Sequence, residues 1–321
     1  MKLDLGKQVL IGGAGFVGSH LVEQMIEGGA KEVVVFDNFT RGTRQNLAAA
    51  EKSGRVKIVE GDILDRDAVV KVIDGAEGVY HLAASWLLQC VDDPRAGLQT
   101  NVVGMFNVMD ACQLAKVPRL VFSSSASVYG NALSTMMGED HPLNNRTFYG
   151  ATKIAGEQLL RSYAEQHGLN YVALRYFNIY GPRQDYSGAY VSVIMKVLDK
   201  IDAGERPVVY GDGSQAYDFI YVGDVARANL LAMQSKATDE AINICTGKKT
   251  SIRELVELLR ELTGSKTEVE YRPAAQQFVT DRLGDPTRSK EALGFEATVP
   301  LREGLKNLIE WRAAELSRTP S

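Results

Sequence analysis

Sulfur and imidazole are scarce in this 321-residue sequence, and their placement excludes several kinds of chemistry. The three cysteines (Cys90, Cys112 and Cys245) are far apart, odd in number and never paired as CxxC. That pattern argues against a disulfide framework or a zinc site and fits a reducing cytoplasm. The four histidines (His20, His81, His141 and His167) are equally scattered, so no metal is expected. No apolar run reaches the roughly 18 residues that a membrane span needs. The stretch from Gln8 to Val22 lacks Lys, Arg, Asp and Glu, but glycines interrupt it and no small-residue cleavage pattern follows, so a secretory leader is not expected. Neither charge is in excess: 36 basic and 40 acidic residues leave a net −4. Nothing in that balance recruits nucleic acid or an anionic membrane, and an anionic small ligand must be held by locally placed donors.

What is present is alternation. Hydrophobic residues make up 45% and charged ones 24%, as in an ordinary soluble globular protein. Strand-like runs fall at Gln8–Ile11, Glu32–Phe36, Val56–Val59, Gly78–Leu82, Leu120–Ser123 and Tyr171–Tyr176. Helix-like stretches lie between them near Val17–Glu27, Arg66–Ile73, Leu98–Leu114 and Ala151–His167. Apolar runs without strict alternation suit strands buried on both faces. Strand–helix alternation then implies an α/β fold of Rossmann type, a doubly wound parallel sheet with right-handed crossovers. After Tyr176 the pattern becomes irregular, with a loop at Tyr180-Gly181-Pro182-Arg183 and helical periodicity at Val191–Ile201, Val225–Met233, Ile252–Leu262 and Leu301–Trp311. The expected division is a nucleotide-binding domain over 1–176 and a smaller C-terminal α/β substrate lobe over 177–321. Residues 217–233 fit either the lobe or a return to the first domain.

Ile11-Gly12-Gly13-Ala14-Gly15-Phe16-Val17-Gly18 follows the first strand and opens the first helix, with Gly12, Gly15 and Gly18 in GxxGxxG spacing. Positions without side chains let the backbone turn sharply and approach a pyrophosphate, whose charge sits on the helix N-terminus. Asp37, 19 positions beyond Gly18, ends the second strand. A carboxylate there accepts hydrogen bonds from a ribose and repels a 2′-phosphate, favouring NAD over NADP as cofactor. Arg41 and Arg44, close behind, keep NADP as the alternative. Asp62, in Val59-Glu60-Gly61-Asp62-Ile63, is placed either to reach an adenine edge or to cap the helix near Arg66–Ile73.

Tyr149 and Lys153 form YxxxK in Phe148-Tyr149-Gly150-Ala151-Thr152-Lys153, sharing one helix face. With 13 tyrosines, about one such pair is expected by chance, so its position at the start of the helix before the sixth strand is what gives it weight. The run Ser123-Ser124-Ser125-Ala126-Ser127 leaves the fifth strand toward the same crevice. Ser125, Tyr149 and Lys153 thus converge as a catalytic set. A phenol with pKa near 10 is a poor base at neutral pH. Lys153 and an oxidised nicotinamide ring would favour the phenolate, and a drop of roughly three units requires about 4 kcal/mol.

Taken in order, the glycine loop, Asp37, His81-Leu82-Ala83-Ala84, Asn101, the serine run, Tyr149/Lys153 and Leu174-Arg175-Tyr176-Phe177-Asn178 resemble the extended short-chain dehydrogenase/reductases. More narrowly they resemble the NAD-dependent epimerase/dehydratase family, and most of all the UDP-galactose 4-epimerase type. The resemblance implies that NAD is held by Gly12, Gly15, Phe16, Val17, Gly18, Asp37, Asn38, Asp62, Ile63, Leu82, Ala83, Ala84, Asn101, Tyr149, Lys153 and Tyr176. It implies that a nucleotide-diphosphate sugar meets Ser125, Ser127, Tyr149, Asn178, Arg183 and Arg282. The implied reaction inverts C4 of a UDP-hexose or UDP-uronic acid through a transient 4-keto sugar. A homodimer through the helices near Leu98–Leu114 and Ala151–His167 is implied on the same ground.

Related 4,6-dehydratases carry an Asp–Glu pair before the Val-Tyr-Gly that follows the fifth strand, and decarboxylases keep the Glu. Here those positions are Ala126 and Ser127, and alanine can serve as neither acid nor base. A dehydratase, decarboxylase or oxidoreductase on a similar substrate is the alternative, and a non-catalytic NAD-sensing protein a further one. The match departs at Tyr217, where the family usually shows an arginine suited to a diphosphate. Arg282 and Arg183 are the candidates to replace it. Trp86-Leu87-Leu88 is bulkier than the family pattern, and either shapes the sugar pocket or packs under a loop.

Overall fold

A computed structural model describes residues 5–185, 192–274 and 281–318. Seven strands form one sheet, all in parallel pairing: β1 (Lys7–Ile11), β2 (Glu32–Asp37), β3 (Val56–Glu60), β4 (Gly78–His81), β5 (Leu120–Ser125), β6 (Tyr171–Tyr176) and a seventh, Glu240–Ile244. From one edge the order is β3-β2-β1-β4-β5-β6 and then Glu240–Ile244. It reverses direction between β1 and β4, and in such sheets ligands bind in the crevice beyond the strand ends at that reversal.

Alternate residues of each strand enter opposite cores. Leu10, Val33, Val35, Val121 and Val172 pack with Leu21 and Met25 of helix α1 (Phe16–Gly28) and with Val225 and Ala228 of the helix Val222–Gln234. Val9, Ile11, Val34, Val79 and Phe122 pack on the other face with Val69 of the helix Arg66–Ile73 and Val108 of Met105–Leu114. Burial on both faces is why these strands read as unbroken apolar runs.

The sheet extends beyond residue 176. Glu240–Ile244 pairs in register with Val172–Tyr176, and the helix Val222–Gln234 lies against α1. We therefore propose a division in which residues 222–245 join the nucleotide domain and the rest after 176 forms the smaller lobe. In that lobe Asn178–Tyr180 pairs with Phe219–Tyr221, and Ala216–Tyr217 lies between Thr250–Ser251 and Asp281–Arg282. The helices Val193–Asp202, Ile252–Thr263 and Leu301–Arg318 share a core that includes Leu198, Leu255, Leu259, Leu305 and Leu308.

Three helix expectations need correction. The stretch Leu98–Leu114 is not one helix: Pro94–Leu98 runs into a π-helical turn over Gln99–Gly104 before Met105–Leu114. Such wide turns cluster at functional sites, and this one carries Asn101. The last helix continues past Trp311 to Arg318. The helix expected from Val191 begins at Val193, capped by Ser192, and Val191 itself lies outside the described residues. Among the described residues, no helix is long and apolar enough to cross a membrane, and no cluster of His, Cys, Asp and Glu could hold a metal ion.

Candidate active site

A single cleft of about 1430 Å³ runs along the strand ends, from Asp37 and Asp62 to Tyr149 and Arg282. The glycine loop forms its floor. Gly12 has φ +83°, a conformation an L side chain rarely adopts, and a Cβ there would lie 2.5 Å from the Ala83 nitrogen. A Cβ on Gly18 would lie 2.7 Å from the Gly12 oxygen, so that glycine is needed for helix and loop to touch. Gly15 differs. A Cβ there would meet nothing nearer than the Gly12 oxygen at 3.5 Å, so packing within the protein does not account for the missing side chain. Gly15 starts α1 with no side-chain cap, leaving the first helical N–H groups aimed at the cleft beside Phe16 and Val17. An uncapped helix N-terminus of this kind suits an anion such as a phosphate.

At one end, the Asp37 carboxylate accepts from the Ala14 and Phe39 backbone nitrogens, both at 2.9 Å. Burial raises its pKa, and these two donors oppose the rise. Arg44 pairs with Glu60 at 3.0 Å, and Arg41 pairs with Asp185, so both guanidiniums are occupied away from Asp37. The Asn38 amide donates to Asp62 at 3.0 Å. The two readings of Asp62 separate here, because Asp65 caps the helix Arg66–Ile73 by accepting from Ala68 at 3.1 Å. Asp62 and Ile63 line the cleft instead. Leu82, Ala83 and Ala84 line its middle.

Asn101 is placed elsewhere. It is buried, its oxygen accepts from Ser85 N at 2.7 Å, and its nitrogen donates to Ser85 O at 2.8 Å and Thr152 Oγ1 at 3.0 Å. Its amide is consumed in fixing the β4 loop to the helix Phe148–His167, so it supports the cleft from behind.

The catalytic candidates meet at the other end. Thr147 caps the helix Phe148–His167, placing Tyr149 in its first turn and Lys153 one turn later. A Cβ on Gly150 would strike Ser127 O at 2.6 Å, so glycine lets this helix press against the turn after β5. The Lys153 ammonium is buried, donates to Ser123 O at 2.8 Å and lies 5.6 Å from the Tyr149 ring centre. The Ser125 hydroxyl, close enough to Tyr149 to favour its phenolate, donates to Ser127 Oγ at 3.1 Å and accepts from Ser127 N at 3.1 Å. Tyr176 lies beneath, its hydroxyl 2.9 Å from Ser123 Oγ and donating to Asn229 at 2.9 Å.

Burial pushes the Tyr149 phenol up to about 12, opposed by the Ser125 hydroxyl and by the Arg41 guanidinium. Burial also pulls the Lys153 ammonium down to about 8. The protein alone therefore holds the phenol protonated, because desolvation opposes both charged forms. A further cation close to the hydroxyl would favour the phenolate.

Loop, acid, cleft and Ser–Tyr–Lys set thus lie on one fold. The chain belongs to the NAD dependent epimerase/dehydratase family. The model of that family matches residues 9–245. The chain is 34% identical over 308 residues to a UDP-glucose 4-epimerase of Mycolicibacterium smegmatis, covering 95% of this chain and 98% of that protein. Its fold matches a UDP-N-acetylglucosamine 4-epimerase from Methanobrevibacter ruminantium in complex with UDP-N-acetylmuramic acid, with TM-score 0.92 and 33% identity over 98% of this chain and 100% of that one. It equally matches a UDP-glucose 4-epimerase with UDP-glucose from Thermotoga maritima, with TM-score 0.90 and 35% identity over 97% and 99% of the two chains.

The family's cofactor fits the cleft: Gly15 leaves room that no protein atom fills, and the bare N-terminus of α1 supplies donors. Gly15→Ala tests this directly. The extra methyl group meets no protein atom closely, and alanine at a helix N-cap costs about 1 kcal/mol. NAD affinity by calorimetry should nevertheless fall about tenfold, as when an added methyl holds a phosphate off its donors. Unchanged affinity would remove the glycine loop from the cofactor site.

Of the substrate candidates, Ser127, Asn178, Arg183 and Arg282 all line the cleft. Arg183, with φ +67°, is held by Glu23. Each arginine has a buried nitrogen without a hydrogen-bond partner, one terminal guanidinium nitrogen of Arg183 and Nε of Arg282, and burial pulls the Arg282 pKa down to about 10. Arg282 is the direct neighbour of Tyr217 on the adjacent strand. Trp311, Phe219 and Gln89 also line the cleft and were not anticipated. Trp311 sits on the last helix, in a periodic stretch that reads as core, and only the tertiary fold brings it there.

Proposed function

We propose that this chain inverts C4 of a UDP-linked hexose or uronic acid by removing hydride from that carbon and returning it to the opposite face. The observation that carries the reading is the Ser125–Tyr149–Lys153 set lining one cleft together with Arg282. When bound, NAD supplies a hydride acceptor that gives the hydride back, and its positive ring is the cation that the Tyr149 phenol lacks. Gly12, Gly15 and Gly18 would hold its diphosphate, Asp37 and Asn38 a ribose, and Tyr149, Lys153 and Tyr176 would border its reactive end.

Tyr149 then takes the proton of the C4 hydroxyl as the carbonyl forms, and gives it back on return. Ser125 holds the same oxygen through its hydroxyl, which lies beside Tyr149. The buried Lys153 ammonium stabilises the phenolate while it exists. Arg282 takes the diphosphate: it stands beside Tyr217 in strand register, so a guanidinium fork reaches the place where Tyr217 offers one hydroxyl. Asn178 has its amide nitrogen on the Asp218 carbonyl, leaving its oxygen for the substrate.

Ala126 is fully buried and Ser127 nearly so, and neither side chain supplies the acid and base that elimination of water needs. We also infer a homodimer, supported by Leu98, Val103, Phe106 and Leu114, large apolar side chains about 40–57% exposed along residues 98–114, with Phe148 similarly exposed on the facing helix. The three cysteines are unpaired and buried, which suits a cytoplasmic setting.

Incubation with UDP-glucose, UDP-galactose, UDP-glucuronate and UDP-galacturonate, followed by NMR of the products, tests the reaction. One C4 pair should converge to the same mixture from either side, without net change in NAD. Loss of water or carbon dioxide, or net reduction of NAD, would instead make the chain a dehydratase, decarboxylase or oxidoreductase.

A further inference from the structure

Arg41 read as a possible partner for a 2′-phosphate, yet its contacts lie elsewhere. Its loop is fastened to the glycine loop: a Cβ on Gly42 would lie 2.7 Å from Ala14 Cβ, and Thr43 N and the Asn46 amide both donate to Ala14 O, at 3.3 and 3.0 Å. From that anchor the Arg41 guanidinium lies 4.7 Å from the centre of the Trp86 ring and forms an ion pair with Asp185. Trp86 follows β4, whereas Arg41 follows β2, and these strands flank β1 on opposite sides. A contact joining them passes over the loop that leaves β1, where the diphosphate of a dinucleotide sits.

Asp185 is anchored as well. It follows the turn Gly181–Arg183, which is tied to α1 where His20 Nε2 meets the Pro182 carbonyl at 2.9 Å and Arg183 pairs with Glu23. Burial pushes the His20 ring down to about 4, so it is neutral and donates this bond at ordinary pH. Three loops, one after β2, one after β4 and one from the substrate lobe, therefore converge on one guanidinium.

We propose that Arg41, stacked on Trp86 and paired with Asp185, roofs the diphosphate stretch of the cofactor groove and keeps NAD on the enzyme between turnovers. The inference rests on the redox-neutral reaction proposed above. A reaction that regenerates its cofactor has no need to release it, whereas a net oxidoreductase must exchange it every cycle and would be throttled by such a roof. Trp86, bulkier than the family pattern, is then neither a sugar-pocket wall nor loop packing but the platform for the clasp. Each contact is modest, since the Arg41 and Asp185 side chains are 36% and 43% exposed. Both must break before the groove opens, so their effect falls on the release rate.

The test measures release directly. NAD-loaded protein, freed of excess cofactor by gel filtration, is mixed with alcohol dehydrogenase and ethanol, which convert only released NAD, and absorbance at the NADH band is followed. Arg41→Ala should release NAD about tenfold faster than the parent protein, with Asp185→Asn a few-fold faster. Raising the salt should speed release from the parent more than from Asp185→Asn, because the screened ion pair is already gone. Release from Arg41→Ala and Asp185→Asn within twofold of the parent would overturn the roof. Conversion of UDP-sugars with NAD added in excess is scored separately, so failure of the roof and failure of the epimerase reading give different results.

Discussion

Tyr149→Phe should lower kcat by about 10²–10⁴-fold while leaving NAD affinity within a few-fold of the parent protein. The ring remains, and with it the packing that places Lys153, so only the hydroxyl that exchanges a proton with the sugar is lost. Product NMR under saturating UDP-sugar gives the rate, and calorimetry gives the affinity. The pH profile carries a second signature. In the cofactor-free protein the phenol stands near 12 and the ammonium near 8, so both hold their protons at neutral pH. Turnover that needs the phenolate should rise with pH from neutrality, and should fall again once Lys153 loses its charge. Lys153→Met should remove the falling limb and depress the whole curve. A Tyr149→Phe protein that turns over within tenfold of the parent would exclude this residue as the proton carrier.

The second large effect is on stability. Behind the serine run, Glu157 accepts from Ser124 Oγ at 2.5 Å and is paired with Arg175 through nitrogen–oxygen contacts of 3.0 and 2.7 Å. Arg175 also donates to the Tyr129 hydroxyl at 2.8 Å, which donates to Asn243 at 2.6 Å. The pair's side chains are only 7% and 6% exposed. Removing one member leaves a buried charge unpaired, and Glu157→Gln should cost about 3–5 kcal/mol in urea unfolding. Replacing both by leucine should recover much of that loss, because an apolar pair of similar volume needs no desolvation. A single variant losing under about 1 kcal/mol would mean that water reaches the pair. The network spans β5, β6, the seventh strand and the helix carrying Tyr149, so its loss should also lower kcat by loosening Ser125.

The parts of the fold legible in the sequence are those fixed by local pattern. Five of the six strands up to Tyr176 announce themselves as apolar runs because both faces are covered, the edge strand Val56–Glu60 being only partly buried, and the glycine loop marks the switch point by spacing alone. Glu240–Ile244 escaped notice because only three of its five residues are apolar, and its burial comes from pairing with a strand some 70 residues earlier. The break at Gln99–Gly104 has no proline to signal it. Within the site, Ser125, Tyr149 and Lys153 were readable because strand end and helix start converge there. Asn101 was not readable as a brace for Ser85, nor Arg41 as a partner of Trp86, since those roles depend on which loops the folded chain brings together.

The sheet also has an order of assembly built into it. All six residues of Tyr171–Tyr176 are buried, yet their outer neighbour arrives only after a long stretch of the substrate lobe has been threaded. During synthesis at about 5–20 residues per second, the nascent chain presents that apolar strand as a bare border for several seconds. A bare border can recruit any other extended chain nearby. Cells that make this protein rapidly would depend on holding factors during that interval, and fragments ending before Glu240 would clump rather than fold.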